Sequence, residues 1–321
     1  MLALPALLAC AHAASAGTQS LVPPEEQRRL YERIAAMIEE RYVDTGKARE
    51  IAAALRTTRA PAEALSPPRF AESATALLRR ISGDGHLSLS YSAEPIAAEQ
   101  GEAEFSRDEM ERWYGTQLNH GVEKIERLDG NIMLLDLRVF PPVDMGGDVV
   151  SAAMTAVAEG AALILDLRNN GGGEETSNLV MGYLLKPGTE VSGSYNRPTD
   201  TTLHATTPVW VPGRRFGETK PVFVLTSRRT FSAAERVAYD LQALKRAVIV
   251  GETTGGGANP FEYRRISEHF ALGLPESMSI NPVTGSNWAG VGVKPDVEVP
   301  ADQALEKALQ LARAAIAGTP R

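Results

Sequence analysis

Between Asn131 and Val250 short apolar runs alternate with longer amphipathic ones, and no other feature restricts the fold as much. Ile132–Leu137, Ala162–Leu167, Val222–Leu225 and Ala247–Val250 are short, apolar and partly β-branched, as strands buried on both faces are. Between them, Asp148–Glu159, Glu174–Leu185 and Ser232–Lys245 read as helices; in the last, Val237, Leu241 and Leu244 recur at helical spacing. That order predicts stacked βαβ units, an α/β core in which working residues sit at the carboxyl ends of strands.

Two loops occupy such positions. The first is Thr230-Phe231-Ser232-Ala233-Ala234-Glu235, which places the Ser232 hydroxyl at a helix entrance directly after a strand. Backbone N–H groups there lack intrahelical partners and the helix dipole is positive, so negative charge developing nearby is stabilised. Ser232 is therefore a candidate nucleophile, although an inert N-cap with Glu235 completing a capping box accounts for the same residues. The second loop, Asp166-Leu167-Arg168-Asn169-Asn170-Gly171-Gly172-Gly173, ends in glycines that permit positive φ and close approach of backbone to a ligand. A tight strand-to-helix turn and a phosphate loop are the competing readings. Neither a G-x-x-x-x-G-K-[ST] nor a clean G-x-G-x-x-G pattern supports a nucleotide.

Upstream, Glu26–Tyr42, Ile51–Leu55 and Phe70–Ile81 predict three short helices forming a small lobe, punctuated by Pro61, Pro67 and Pro68. The last helix runs into Ser82-Gly83-Asp84-Gly85-His86, and Leu87–Tyr91 alternates as a half-buried strand does. His86 thus sits at a turn-to-strand junction, where an ordinary turn histidine bonded to backbone is the plain alternative to catalysis. No histidine pair has metal-ligand spacing, so no metal and no other cofactor is expected.

Net charge is -7 and no Lys/Arg run reaches four residues, which excludes a phosphate-neutralising footprint and hence nucleic-acid partners. Leu2–Ala16 is apolar, too short to span a bilayer comfortably and ends in small residues, so residues 1–16 read as a signal segment without a basic n-region. A periplasmic or secreted protein follows. Cys10, the one cysteine, lies in Leu7-Leu8-Ala9-Cys10, which is similar to a lipoprotein processing box; membrane attachment is expected only if Cys10 is lipidated. Cleavage after Ala13 or Ala16 leaves no thiol chemistry at all.

Taken in order, LILDLRNNGGG, TFSAAE, RAVIVGETTGGGANP and INPVTGSNWAGVGVKPDVEVP resemble the tail-specific (C-terminal processing) serine peptidase family. The stretch SGDGHLSLSYS and the lead-in NHGVEKIERLDGNIMLLDLRVF are similar to its interphotoreceptor-retinoid-binding-protein-like and tricorn-core-like branch. This resemblance implies a crotonase-like α/β core with a helical N-terminal lobe, dividing the chain into residues 1–16, 24–95 and 96–318. It also implies Ser232 as nucleophile, oxyanion donors from the Gly172 and Ala233 amides, and peptide or unfolded-protein substrates.

Two departures bear on mechanism. Ser-Lys members carry a lysine in a G-K-G turn where this chain has Gly255-Gly256-Gly257, so a lysine base is not expected. The tricorn-like branch uses a histidine, and the matching position is His86, whose neutral imidazole can accept the serine proton with a pKa near ~6 to 7. Related chains commonly read N-W-E-G-V-G where this one reads Asn287-Trp288-Ala289-Gly290-Val291-Gly292, so an acid is missing at Ala289 and activity is expected to suffer. Spacing alone does not bring the Asp84 carboxylate to the imidazole.

A PDZ module needs on the order of 80 to 100 residues, for which Tyr91–Asn131 has no room. Thr189–Val211 suggests hairpins, and Ala301–Ala317 an amphipathic helix with Leu305, Leu309 and Leu311 or Ala312 inward. The leading expectation is a serine endopeptidase. Its rivals are a non-catalytic binding protein for an apolar ligand or peptide, which Ala289 favours, and an acyl-CoA enzyme of the same fold.

Overall fold

A computed structural model describes residues 20–58, 63–96 and 107–318; the expectations placed on the leader and on Cys10 lie outside these residues. In chain order come α1 (Pro24–Arg41), α2 (Thr45–Thr57), α3 (Pro67–Ser82), β1 (Ser88–Tyr91), α4 (Arg107–Tyr114), β2 (Val122–Leu128), β3 (Ile132–Leu137), α5 (Val143–Val157), β4 (Ala162–Asp166), α6 (Thr176–Leu184), β5 (Glu190–Asn196) and β6 (Thr201–Thr206). There follow β7 (Val222–Thr226), α7 (Ala233–Ala243), β8 (Val248–Gly251), β9 (Phe261–Arg265), β10 (Phe270–Pro275), β11 (Ser277–Ile280), β12 (Val297–Glu298) and α8 (Ala304–Gly318).

These elements form two units. The first comprises Met1–Glu104 with Tyr195–Thr202 and Asn259–Met278. Its three helices start and stop for local reasons: prolines occupy the first turns of α1 and α3, Asp44 accepts from the Gly46 and Lys47 amides ahead of α2, and Gly83 closes α3 at φ +71°. Their apolar stripes, among them Ile34, Ile38, Ile51, Leu55, Phe70 and Leu78, converge with Leu87, Leu89, Leu272 and Leu274 in one core. Beside the N-terminal helices this unit takes in strands from far downstream. β1 pairs antiparallel with β10, and β10 with β9, because the half-buried strand after His86 finds its partner far downstream. Glu276, buried, accepts from both Arg41 and Arg264 and fastens that returning segment.

The second unit comprises Phe105–Ser194, Leu203–Ala258 and Ser279–Arg321. Its six-stranded sheet has the order β12-β8-β7-β4-β3-β2, parallel from β12 to β3, with β2 antiparallel at the edge. The strands expected at Ile132, Ala162 and Val222 are buried at every position, as their unbroken apolar runs require. Alternate side chains serve the two faces: Leu135, Leu163, Leu165 and Val224 meet α5, α6 and α7, whereas Leu134, Ile164, Phe223 and Leu225 meet α8. α8 differs from expectation in detail. Its buried stripe is Ala304, Ala308 and Ala312, with Leu305, Leu309 and Leu311 partly buried beside it. Small residues let the helix axis approach the sheet, and the leucines spread to either side. The strands expected within Thr189–Val211 are β5 and β6, which join β11 in a three-stranded sheet of order β11-β5-β6.

Candidate active site

Strand β7 delivers its last residue to a turn that is bonded throughout to the glycine loop after β4. Thr230 Oγ1 donates to the Leu167 carbonyl at 2.8 Å, Ser227 Oγ to the Arg168 carbonyl at 2.5 Å, and the Phe231 amide to the Asn170 carbonyl at 3.1 Å. Held this way, Ser232 takes φ +52° and ψ −121°, a region an L-residue occupies only under constraint. The Ala233 amide, first of α7, has no acceptor among the described residues.

Gly172 lies directly against the serine. With φ +104°, its absent Cβ would fall 2.7 Å from Ser232 Cβ and 3.0 Å from the Ala233 nitrogen, so only glycine fits. Asn170, fully buried, shapes the loop by donating to the Leu137 carbonyl at 3.1 Å and accepting from the Gly172 amide at 2.8 Å. The structure thus brings Ser232, Ala233 and Gly172 together, with one of the two expected oxyanion donors already engaged by Asn170.

Glu235 has a larger part than the capping box indicated. Its carboxylate is buried and accepts from the Ser232 amide at 2.9 Å, the Gly257 amide at 2.7 Å, the Gly256 amide at 2.6 Å and Thr254 Oγ1. Burial raises its pKa and these four donors oppose that rise. The loop it grips is Gly255-Gly256-Gly257, where a lysine base was not expected. Gly256 has φ +87°, and a Cβ there would stand 3.1 Å from Gly290 backbone, a backbone suited to glycine rather than to a projecting lysine. Sequence spacing shows the S-x-x-E pair but not the downstream donors, which fold back across β8.

His86 belongs to the other unit and has its own surroundings. Its ring is buried and stacks on Phe261, with centroids 5.1 Å apart. Asp84 Oδ1 accepts from the His86 amide at 2.9 Å and lies 3.8 Å from His86 Nδ1, within ion-pair range though too long for a hydrogen bond. Asp84 Oδ2 is fixed by Tyr42 Oη at 3.0 Å and Asn259 Nδ2 at 3.1 Å. The carboxylate that spacing alone did not place is thus beside the imidazole, and the sequence did not reveal that Tyr42 and Asn259 hold it there. Burial lowers the His86 pKa to about 4, with the Asp84 charge opposing that fall and Arg79 adding to it. The ordinary value near ~6 to 7 expected from sequence is corrected accordingly.

Ala289 is exposed, its amide bonded to Asn287 Oδ1 at 2.9 Å. The preceding Trp288 is buried and packs on Tyr239 of α7, with ring centroids 5.1 Å apart. Gly290 returns to the loop held by Glu235, donating to the Gly256 carbonyl at 2.8 Å. A glutamate at Ala289 would therefore meet solvent rather than the apolar interior.

Comparison with known proteins finds the same fold elsewhere. Solved structures with the same fold include a candidate peptidase from Parabacteroides merdae (TM-score 0.60, 20% identity, covering 89% of this chain and 96% of that one). A lipoprotein from Streptococcus agalactiae has a TM-score of 0.58 and 17% identity, covering 92% of this chain and 99% of that one. The photosystem II D1 C-terminal processing protease has a TM-score of 0.51 and 16% identity, covering 90% of this chain and 97% of that one. The family model for peptidase family S41 matches residues 134–299, just over half of the sequence and the span that carries both the glycine loop and Ser232. The chain belongs to peptidase family S41.

Proposed function

We propose that this S41 peptidase is a serine endopeptidase acting on peptides or unfolded proteins, with Ser232 as nucleophile and His86 as general base. The observation that carries the reading is the constrained backbone of Ser232 beside the unengaged Ala233 amide. Neutral His86 takes the Ser232 proton as Oγ attacks the scissile carbonyl. The oxyanion is received by the Ala233 amide and by the Gly172 amide, the latter shared with Asn170 Oδ1 as a three-centre bond. Collapse expels the amine, protonated by His86, and leaves an acyl-serine that water cleaves by the same route. Asp84 acts through His86, orienting the ring. Export to the periplasm or the exterior is part of the proposal and rests on Leu2–Ala16.

The pH profile tests the base. Because the folded pKa is depressed, His86 remains neutral below the ordinary value of 6.5, so the acid limb of kcat/KM lies below that pH. The sign for stability is the same: the contribution is present above 6.5 and is lost as pH falls toward the depressed value. Steady-state hydrolysis of a casein-type substrate between about pH 4 and 8, with His86→Ala as the inactive control, checks it. Full activity in His86→Ala would remove His86 from the mechanism.

Asp84 also changes what is expected at Ala289. Since an orienting carboxylate already stands by the imidazole, Ala289→Glu should alter kcat by less than about tenfold, or ~1.4 kcal/mol of barrier. A gain of a hundredfold in a well-folded variant would show that the missing acid limits the protein. The second reading, a binding protein on the same scaffold, is favoured by Ala289 and predicts no turnover by either form.

A further inference from the structure

The carboxylate beside His86 is held by three donors, all in the same unit as the histidine. Tyr42 Oη and Asn259 Nδ2 donate to Asp84 Oδ2 at 3.0 and 3.1 Å, while Oδ1, the oxygen that faces His86 Nδ1, accepts from the His86 amide at 2.9 Å. Both lone pairs of Oδ2 are thus occupied, and the buried carboxylate cannot turn without leaving donors unmatched. The two side-chain donors are themselves anchored. Tyr42 follows the last turn of α1, where its amide donates to the Ile38 carbonyl at 3.0 Å and its own carbonyl accepts from Arg197 Nη1 at 2.6 Å. Burial and the Asp84 charge raise the Tyr42 pKa, so its hydroxyl stays a donor. Asn259 is joined through Pro260 to Phe261, whose ring stacks on the imidazole. Proline fixes its own φ and disfavours helical backbone at the residue before it, so a stiff link joins the side chain that holds the carboxylate to the ring that packs on the histidine.

We infer that Tyr42 and Asn259 are positioning residues for the base: by filling Asp84 Oδ2 they keep Oδ1 turned toward His86 Nδ1, and so select the imidazole tautomer with its proton on Nδ1. An ionised carboxylate only accepts, so it favours a proton on the nitrogen that faces it. Nε2 is then the nitrogen that takes the Ser232 proton, and the imidazolium formed keeps the Asp84 charge beside it. The inference rests on the endopeptidase reading with His86 as base. It adds a residue from the end of α1 and one from just before β9 to the groups on which that base depends.

The test compares wild type, Tyr42→Phe, Asn259→Ala and the double variant by steady-state hydrolysis and by proton–nitrogen NMR of the histidine rings near neutral pH. The His86 signals are assigned by their loss in His86→Ala. Wild type should carry its ring proton on Nδ1. Each single variant should lower kcat by about three- to tenfold with KM unchanged, and the double variant by about thirtyfold or more, with the Nε2-protonated tautomer appearing beside the first. Circular dichroism confirms folding, and if the double variant does not fold the single variants carry the same two readouts. A proton on Nε2 in wild type, an undisturbed tautomer in the variants, or variants as fast as an active wild type would each overturn the inference, and the last leaves the peptidase reading standing. Because the tautomer is read without substrate, the two failures separate. An Nδ1 proton that depends on Tyr42 and Asn259, with no turnover by wild type, upholds the positioning and sinks the endopeptidase.

Discussion

Ser232→Ala should lower hydrolysis by about four powers of ten or more while the protein folds as before. Removing a nucleophile has effects of that order, whereas losing a side-chain cap changes stability by only about 1 kcal/mol. The strain at this residue supplies a second arm. Glycine adopts φ +52° and ψ −121° freely, while alanine inherits the serine's conformational penalty of roughly 1–3 kcal/mol. Ser232→Gly should therefore be as inactive as Ser232→Ala yet more stable by about 1 kcal/mol in urea unfolding. Wild-type rates in either variant would remove Ser232 from the chemistry, and a glycine variant less stable than the alanine one would mean that the backbone is not strained.

Glu235→Gln should be the most damaging isosteric change away from the reacting atoms. Each carboxylate oxygen accepts two donors: the Thr254 hydroxyl and Gly256 amide on one side, the Ser232 and Gly257 amides on the other. Placing the new NH2 toward Thr254 is the better choice, since a hydroxyl can turn and accept, but it still confronts the Gly256 amide. The alternative confronts two amides. An unmatched buried donor costs about 1–3 kcal/mol, so stability should fall by that amount. Activity should fall further, because the same carboxylate fixes the nucleophile's own amide, and a small displacement there costs about a hundredfold in kcat. Glu235 is a positioning residue, so KM should change little. A variant that loses stability but keeps its kcat would make Glu235 structural only.

How much of this was legible in sequence differed between local and non-local features. Both-face-buried strands at Ile132, Ala162 and Val222 announce themselves as unbroken apolar runs, and the helices between them as periodic stripes. Ser232 at a helix entrance was legible for the same reason. The unit containing His86 was not, since it is completed by β9 and β10, and nothing in the alternation of Ser88–Tyr91 names Phe270–Gly273 as its partner. The same limit hid the Asp84 setting, in which Tyr42 and Asn259 arrive from distant segments, and the downstream donors to Glu235. In each case the side chain was identifiable and its long-range partners were not. The histidine pKa followed from that gap, because exposure decides it and sequence spacing does not.

The central claim is that Ser232 is an activated nucleophile, and the most direct measurement is its reaction with a fluorophosphonate probe, followed by intact mass and peptide mapping. The account predicts one adduct per chain, located on Ser232, absent in Ser232→Ala and much slower in His86→Ala. An unmodified wild-type protein, or an adduct on any other residue, would contradict it.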